Sequence, residues 1–168
     1  LVLDATRKLK NASADCIVLC ANTLHQYVDR LIEEVNLPIV HIADATAVEI
    51  KKLGLSTIGL LGTKFTMELD FYTSRLSDAS IKSLVPERPE RLFIHNTIMD
   101  ELLKEIYKPE SKKRFLEIIN DLEQKGAQGI VLGCTEIPLL INQADTHLPV
   151  FNTLKIHAKA AVDFAINE

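Results

Sequence analysis

Three observations predict an α/β fold built on parallel sheets. Short apolar runs alternate with longer amphipathic stretches along the chain, and strands separated by helices pair in parallel. Two of the runs, CIVLCA (16–21) and GIVLG (129–133), are apolar with hardly a break, as in strands covered on both faces. Gly54, Gly62 and two Leu-Pro pairs, Leu37-Pro38 and Leu148-Pro149, punctuate the joints, where the chain must leave one element and enter the next.

The elements follow in order. Residues 3–12 read as a helix and 16–21 as the first buried strand. Residues 23–35 are helical, because Leu24, Val28, Leu31, Ile32 and Val35 share one face. A strand at 39–42 follows Leu37-Pro38. Residues 43–53 form a helix that Gly54 ends. Residues 57–61 are a strand closed by Gly62, 65–76 a helix, and 81–85 a short strand. Two helices, 89–107 and 110–125, are split near Pro109, since a proline drives the residue before it out of helical conformation. Strands at 129–133 and 150–152 and a helix at 156–166 complete the reading.

Composition excludes several classes of function. The 168 residues suffice for one ordinary domain or two small lobes. A net charge of −4 leaves no basic footprint for nucleic acid. No apolar run approaches the roughly 20 residues that span a bilayer, so no membrane partner is expected. Three cysteines with no CxxC pair argue against a disulfide scaffold and a zinc site, and His41, His95, His147 and His157 have no metal-ligand spacing. No metal and a cytoplasmic location are the expectations. LVLDATRKLK does not read as a signal peptide. It reads as the middle or end of a helix and carries no Met, so residues before Leu1 and an incomplete first lobe are expected.

Two stretches repeat each other. LKNASADCIVLCANT lies on LEQKGAQGIVLGCTE, with Leu9 against Leu122 and Ile17 against Ile130, and each stretch runs on to a Leu-Pro and a strand. Any two βα units share some of this pattern, but the similar spacing to Leu-Pro favours duplication. In this register Ala21 pairs with Cys134, and Cys20 with Gly133. Neighbouring strand residues point to opposite sides. If Cys134 faces a cleft, its counterpart is Ala21, and Cys20 points away into packing, as does Cys16.

Two related lobes that face one cleft present one group from each side. That arrangement suits inversion at a tetrahedral carbon, where one group removes the α-proton and another returns a proton to the opposite face. Cysteine suits the task, because its pKa near ~8.5 is readily shifted by its surroundings. Both candidate sites lie at the carboxyl end of a parallel strand, where ligands of open α/β sheets bind. Backbone N–H groups at the start of the next helix hold carboxylates, and Asn22, Thr23 and Thr135 add side-chain donors.

IVLCANTLH, HIADAT, LLGTKFTMELDFY and IVLGCTEIP together resemble the aspartate/glutamate racemase family, whose bacterial amino-acid racemases need no pyridoxal phosphate. The resemblance covers essentially the whole chain. It implies two Rossmann-like lobes with parallel sheets related by a pseudo-twofold, an active site between them, no cofactor, an amino-acid substrate and a homodimer. Residues 1–43 with 150–168 would form lobe 1, and residues 44–149 lobe 2. Cys134 matches the C-terminal catalytic cysteine. The N-terminal catalytic cysteine directly precedes Asn-Thr in the commonest pattern, and Ala21 stands there; some relatives carry threonine at that position. Alanine moves no proton, so the partner base is missing unless Cys20 or water replaces it. Asn22 and Thr23 match positions around the α-carboxylate. Thr63 and Thr66 match a cleft-lining loop, and Lys104 a lysine that meets the side-chain carboxylate.

Plainer readings stand beside these. Asn22 and Thr23 also suit a helix cap; Glu136, read as a substrate-site residue that orients Thr135 or the cleft, also suits a helix's first turn; and Lys104 suits a solvated helix face. His25 reads as a site neighbour or as a hydrogen-bonded structural histidine. The GLLG of Gly59 to Gly62 is not GxGxxG, so no dinucleotide is implied. The resulting expectation is α-proton exchange on aspartate or glutamate with Cys134 as acid and base. A one-cysteine decarboxylase or isomerase of the same superfamily, resembling the arylmalonate decarboxylases, is the first alternative. A catalytically silent amino-acid binder is the second.

Overall fold

The structure, a computed structural model, describes residues 1–166. Four parallel strands form its sheet, in the order β2-β1-β3-β4: β1 Thr57–Gly62, β2 Lys82–Leu84, β3 Ile130–Gly133 and β4 Val150–Asn152. Helices connect them. α1 (Val2–Asn11), α2 (Val28–Val35) and α3 (Ile42–Lys52) precede β1. α4 (Lys64–Glu68) and α5 (Asp70–Asp78) lead to β2, and α6 (Arg88–Asp100) and α7 (Pro109–Gln124) to β3. α8 (Ile137–Leu140) precedes β4, and α9 (Thr153–Ile166) follows it. None of the described helices is long and apolar enough to cross a membrane.

The apolar runs at 57–62 and 130–133 are central strands, and their alternation sorts one core on each face. Leu61, Ile130 and Leu132 pack with Ile94 and Ile98 of α6 and with Phe115, Ile118 and Leu122 of α7. Ile58, Leu60 and Val131 face the other way, onto Ile42, Ala47 and Ile50 of α3 and onto Tyr72 and Leu76 of α5. Successive strand residues point to opposite faces, so a strand that is apolar at every position needs both layers. The helix limits have local causes. The His41 side chain accepts from the Ala43 N–H at the start of α3, and Gly54 at φ +68° takes the left-handed turn after its end. Prolines in the first turns of α6 and α7 occupy positions whose N–H has no helical partner.

Three expectations are corrected. The strands at 16–21 and 39–42, which were to form a second sheet, reduce to one parallel bridge between Ile17 and Ile39. Burial there alternates, with Ile17 and Leu19 covered and Val18 and Cys20 exposed. One face packs on Val28 and Leu31, and nothing among the described residues covers the other. The architecture is therefore one four-stranded α/β unit, with residues 1–41 packed beside it. Strand 150–152 was placed with the first lobe, yet it hydrogen-bonds along β3 through Ile130↔Val150 to Leu132↔Asn152. Finally, the helix at 89–107 stops at Asp100. A single 3-10 turn, Leu102–Lys104, follows it, and Glu105 is left-handed.

Candidate active site

β1 and β3 are neighbours, paired from Gly59↔Ile130 to Gly62↔Gly133. Thr63 and Cys134 therefore leave the sheet side by side at its carboxyl edge. The two terminal glycines make room for what lies beneath. A Cβ on Gly62 would sit 2.9 Å from the Gly133 oxygen and 3.0 Å from the Thr66 Cβ. One on Gly133 would sit 3.0 Å from the Thr66 Cγ2 and 3.1 Å from the Leu61 oxygen. Thr66 is thus drawn under the strand ends, fully buried, with its hydroxyl 3.4 Å from that of Thr63. Gly133→Ala should cost about 1–3 kcal/mol through overpacking, read as a lower urea midpoint; an unchanged midpoint would show that Thr66 yields freely.

A cavity of about 190 Å³ opens at this edge, lined by Ala21, Asn22 and Thr23, by Thr63 and Thr66, by Ile98, Met99 and Leu103, and by Gly133, Cys134, Thr135 and Glu136. Its size lies below the ~300 Å³ of drug-sized sites and suits a small metabolite. A larger groove of about 620 Å³ runs over Ser74, Ser77, Ser80, Asp70 and Lys82, but it contains no buried titratable group. Eight of the ten residues singled out in the sequence share the smaller cavity, and two do not. Lys104 is exposed and pairs with Asp100 at 3.5 Å, because the chain leaves the helix before reaching it, and Leu103, itself half exposed, borders the cavity instead. Cys20 is exposed rather than packed, and its Sγ lies 4.0 Å from the Val18 oxygen. Cys16 is half-buried. Ile98, Met99 and Leu103 form an apolar wall that the sequence reading missed, since an apolar residue near a helix end does not declare whether it meets core, solvent or a cavity.

The Cys134 thiol is 7% exposed and donates to Glu136 Oε2 at 2.8 Å. The Thr135 hydroxyl donates to the other oxygen, Oε1, at 2.5 Å. Burial first, and then the Glu136 bond, push the thiol pKa up to about 12, while the backbone N–H groups of Glu136 and Ile137 pull the other way. At neutral pH the group is a thiol with its proton aimed at a carboxylate.

The orientation of Asn22 follows from its neighbours. Thr153 Oγ1 lies 2.8 Å from the Leu132 carbonyl, which can only accept, so the single hydroxyl proton is spent there. Asn22, 3.2 Å from the same Oγ1, must then donate to it through Nδ2. Its Oδ1 remains buried without a partner. Asn22 therefore has an acceptor left to offer, while one of its two amide N–H donors is held by Thr153.

A parallel α/β sheet with a buried thiol and hydroxyls at its carboxyl edge defines a class of small-molecule sites. Residues 1–161 match the Asp/Glu/Hydantoin racemase family, and the chain belongs to it. An Asp/Glu racemase candidate from Yersinia pestis is 44% identical and superposes with a TM-score of 0.93, covering 98% of this chain and 72% of that one. An aspartate racemase homologue from Pyrococcus horikoshii is 37% identical with a TM-score of 0.88, covering 97% and 72%. A glutamate racemase from Hydrogenobaculum is 26% identical over 146 residues, 86% of this chain. The chain spans 54% of the length of that relative.

Proposed function

We propose that this protein exchanges the α-proton of aspartate or glutamate, with Cys134 as acid and base, and that inversion is slow because Ala21 occupies the second base's position. The Cys134–Glu136 contact inside the cavity carries the reading. Before it can take a proton the thiol must give up its own, and Glu136 Oε2 is the acceptor already bonded to it. The thiolate then removes the proton from Cα, which regenerates the thiol and leaves a carbanion conjugated with the carboxylate. Return of a proton from the same sulfur restores the configuration. Inversion needs a proton delivered to the other face. Ala21 has none to deliver, so water must supply it. The free Oδ1 of Asn22 suits the substrate's ammonium group, which leaves its α-carboxylate to Thr23 and backbone N–H groups, the Thr135 hydroxyl proton being held by Glu136.

Incubation of each aspartate and glutamate enantiomer in D2O tests this. Deuterium should enter Cα faster than the enantiomer inverts. Binding without exchange would defeat the reading and favour a silent binder. One observation favours a second reading. A buried thiol that rests protonated at neutral pH starts the reaction in its donor form, as in a decarboxylase that protonates an enediolate from one side. Release of CO2 from substituted malonates, without α-exchange on amino acids, would establish it. Under the first reading, Ala21→Cys supplies the missing donor and should raise racemisation by about 10²-fold or more, while Cys20→Ala changes it little. Chiral chromatography checks both.

A further inference from the structure

Beside the Asn22–Thr23 wall lie three buried histidines. His25, His41 and His157 are 2%, 6% and 4% exposed. The His25 ring meets the other two edge-on, with centroids 4.8 Å from His41 and 5.2 Å from His157. Backbone contacts set each tautomer. His25 Nδ1 lies 3.0 Å from the Ala21 oxygen, and a carbonyl only accepts, so Nδ1 carries the proton. His157 Nε2 likewise donates to the Val40 oxygen at 2.7 Å, whereas His41 Nδ1 accepts from the Ala43 N–H at 3.1 Å. His25 Nε2 is then a bare lone pair, buried and without a partner. Among the described residues no group of three His, Cys, Asp or Glu side chains is placed to hold a metal ion.

We infer that His25 is a positioning residue of the site: as a neutral ring it holds the Ala21 carbonyl, and with it the peptide that presents Asn22 and Thr23 to the ligand. The inference rests on the reading of this cavity as the substrate site. Its geometry is over-determined. The 3-10 helix Asn22–Tyr27 starts without a side-chain cap, so the Nδ1 bond is the side-chain tie on its first carbonyl. α9 fastens the same loop from one face, through Thr153 to Asn22 and, one turn on, through His157 beside His25. The titratable and charged groups acting on the trio are its own members and Arg75, which acts on His41, while backbone contacts with Ala21, Asn22 and Val40 favour a proton on His25 less than burial opposes it. None of them is an anion, so a second proton on His25 would be opposed and the loop would have to open to admit it.

Asparagine tests the claim because its Nδ2 occupies the place of Nδ1 and does not titrate. His25→Asn should keep the wild-type amide resonances of Ala21, Asn22 and Thr23. His25→Leu, which has no donor, should displace them. α-Proton exchange should fall about fivefold to tenfold in His25→Leu, the worth of one hydrogen bond, mainly through KM, and stay within about threefold of wild type in His25→Asn. The acid limb of the exchange rate should move to lower pH in His25→Asn. Wild-type loop resonances in His25→Leu, or equal damage in both variants, would overturn the inference. Were wild type inert towards both amino acids, the proposed function would fail and the resonances would judge His25 alone. Were His25→Leu unfolded, ring nitrogen shifts of wild type would decide: a protonated Nδ1 and bare Nε2 at pH 7 are expected, and the opposite tautomer refutes the assignment.

Discussion

Cys134→Ser should lower α-proton exchange on aspartate and glutamate by about 10²- to 10⁴-fold, the usual worth of a positioned acid–base group. Serine keeps the size of the side chain and the contact to Glu136, but a hydroxyl holds its proton far more tightly than a thiol does. The fold should tolerate the change, because Cys134 lies at the end of β3, where Thr135 and Glu136 are only half-buried. Ligand affinity should stay within a few-fold, since Asn22, Thr23 and Thr135 remain in place. Deuterium incorporation and isothermal calorimetry on the same samples separate the two effects. Exchange that survives in Cys134→Ser would remove the thiol from the chemistry and return Cys20 and Glu136 to consideration. In wild type, alkylation at pH 7 should strike exposed Cys20 before Cys134, whose thiol is buried and held protonated.

The second large effect is acid destabilisation. Burial lowers the His25 pKa from 6.5 to about 4. Burial, His25, Arg75 and His157 together lower His41 from 6.5 to about 3. His157 moves in the same direction, chiefly through burial. An unfolded chain takes up these protons near pH 6.5, while the folded chain refuses them. Stability is therefore full above about pH 6.5 and falls as pH drops towards the folded values. Each histidine contributes a slope of up to about 1.4 kcal/mol per pH unit. For His25 and His41 the total loss is on the order of several kcal/mol, a large share of a typical stability. Glu101 and Asp145 lie below their usual range because of bonds to Ser111 and Lys112, and they add to the loss only at lower pH. Asp44 is raised by burial and works weakly against it. Urea midpoints between pH 7 and 4.5 measure the slope. A flat profile would mean that the trio is charged or open in the folded state.

Much of the fold was legible because burial imposes a period on sequence. The runs at 57–62 and 130–133 became central strands with a core on each face, and α3 ends before Gly54. The run at 16–21 looked equally strand-like, yet only Ile17 pairs. Apolarity states that a segment is to be covered, whereas a strand also needs a partner edge, and one bridge to Ile39 is all that this chain brings to it. At the site, the polar residues of NT, GTKFT and GCTE could be named in advance because hydroxyls and thiols after a strand have few structural uses. The apolar wall and the histidine trio could not.

By itself the sequence determined the alternating α/β order, the carboxyl-edge location of Thr63 and Cys134, and the presence of alanine where a second cysteine was expected. These depend on residue type and on spacing along one element. Tertiary structure decided that Lys104 faces solvent while Leu103 lines the cavity, that the Cys134 proton rests against Glu136, and that Asn22 gives one amide donor to Thr153 and keeps its Oδ1 free. It also made His25, His41 and His157 one neutral cluster. Each of these depends on which groups meet across elements, and the protonation and hydrogen-bond polarity of a side chain are set by those partners rather than by its neighbours in sequence.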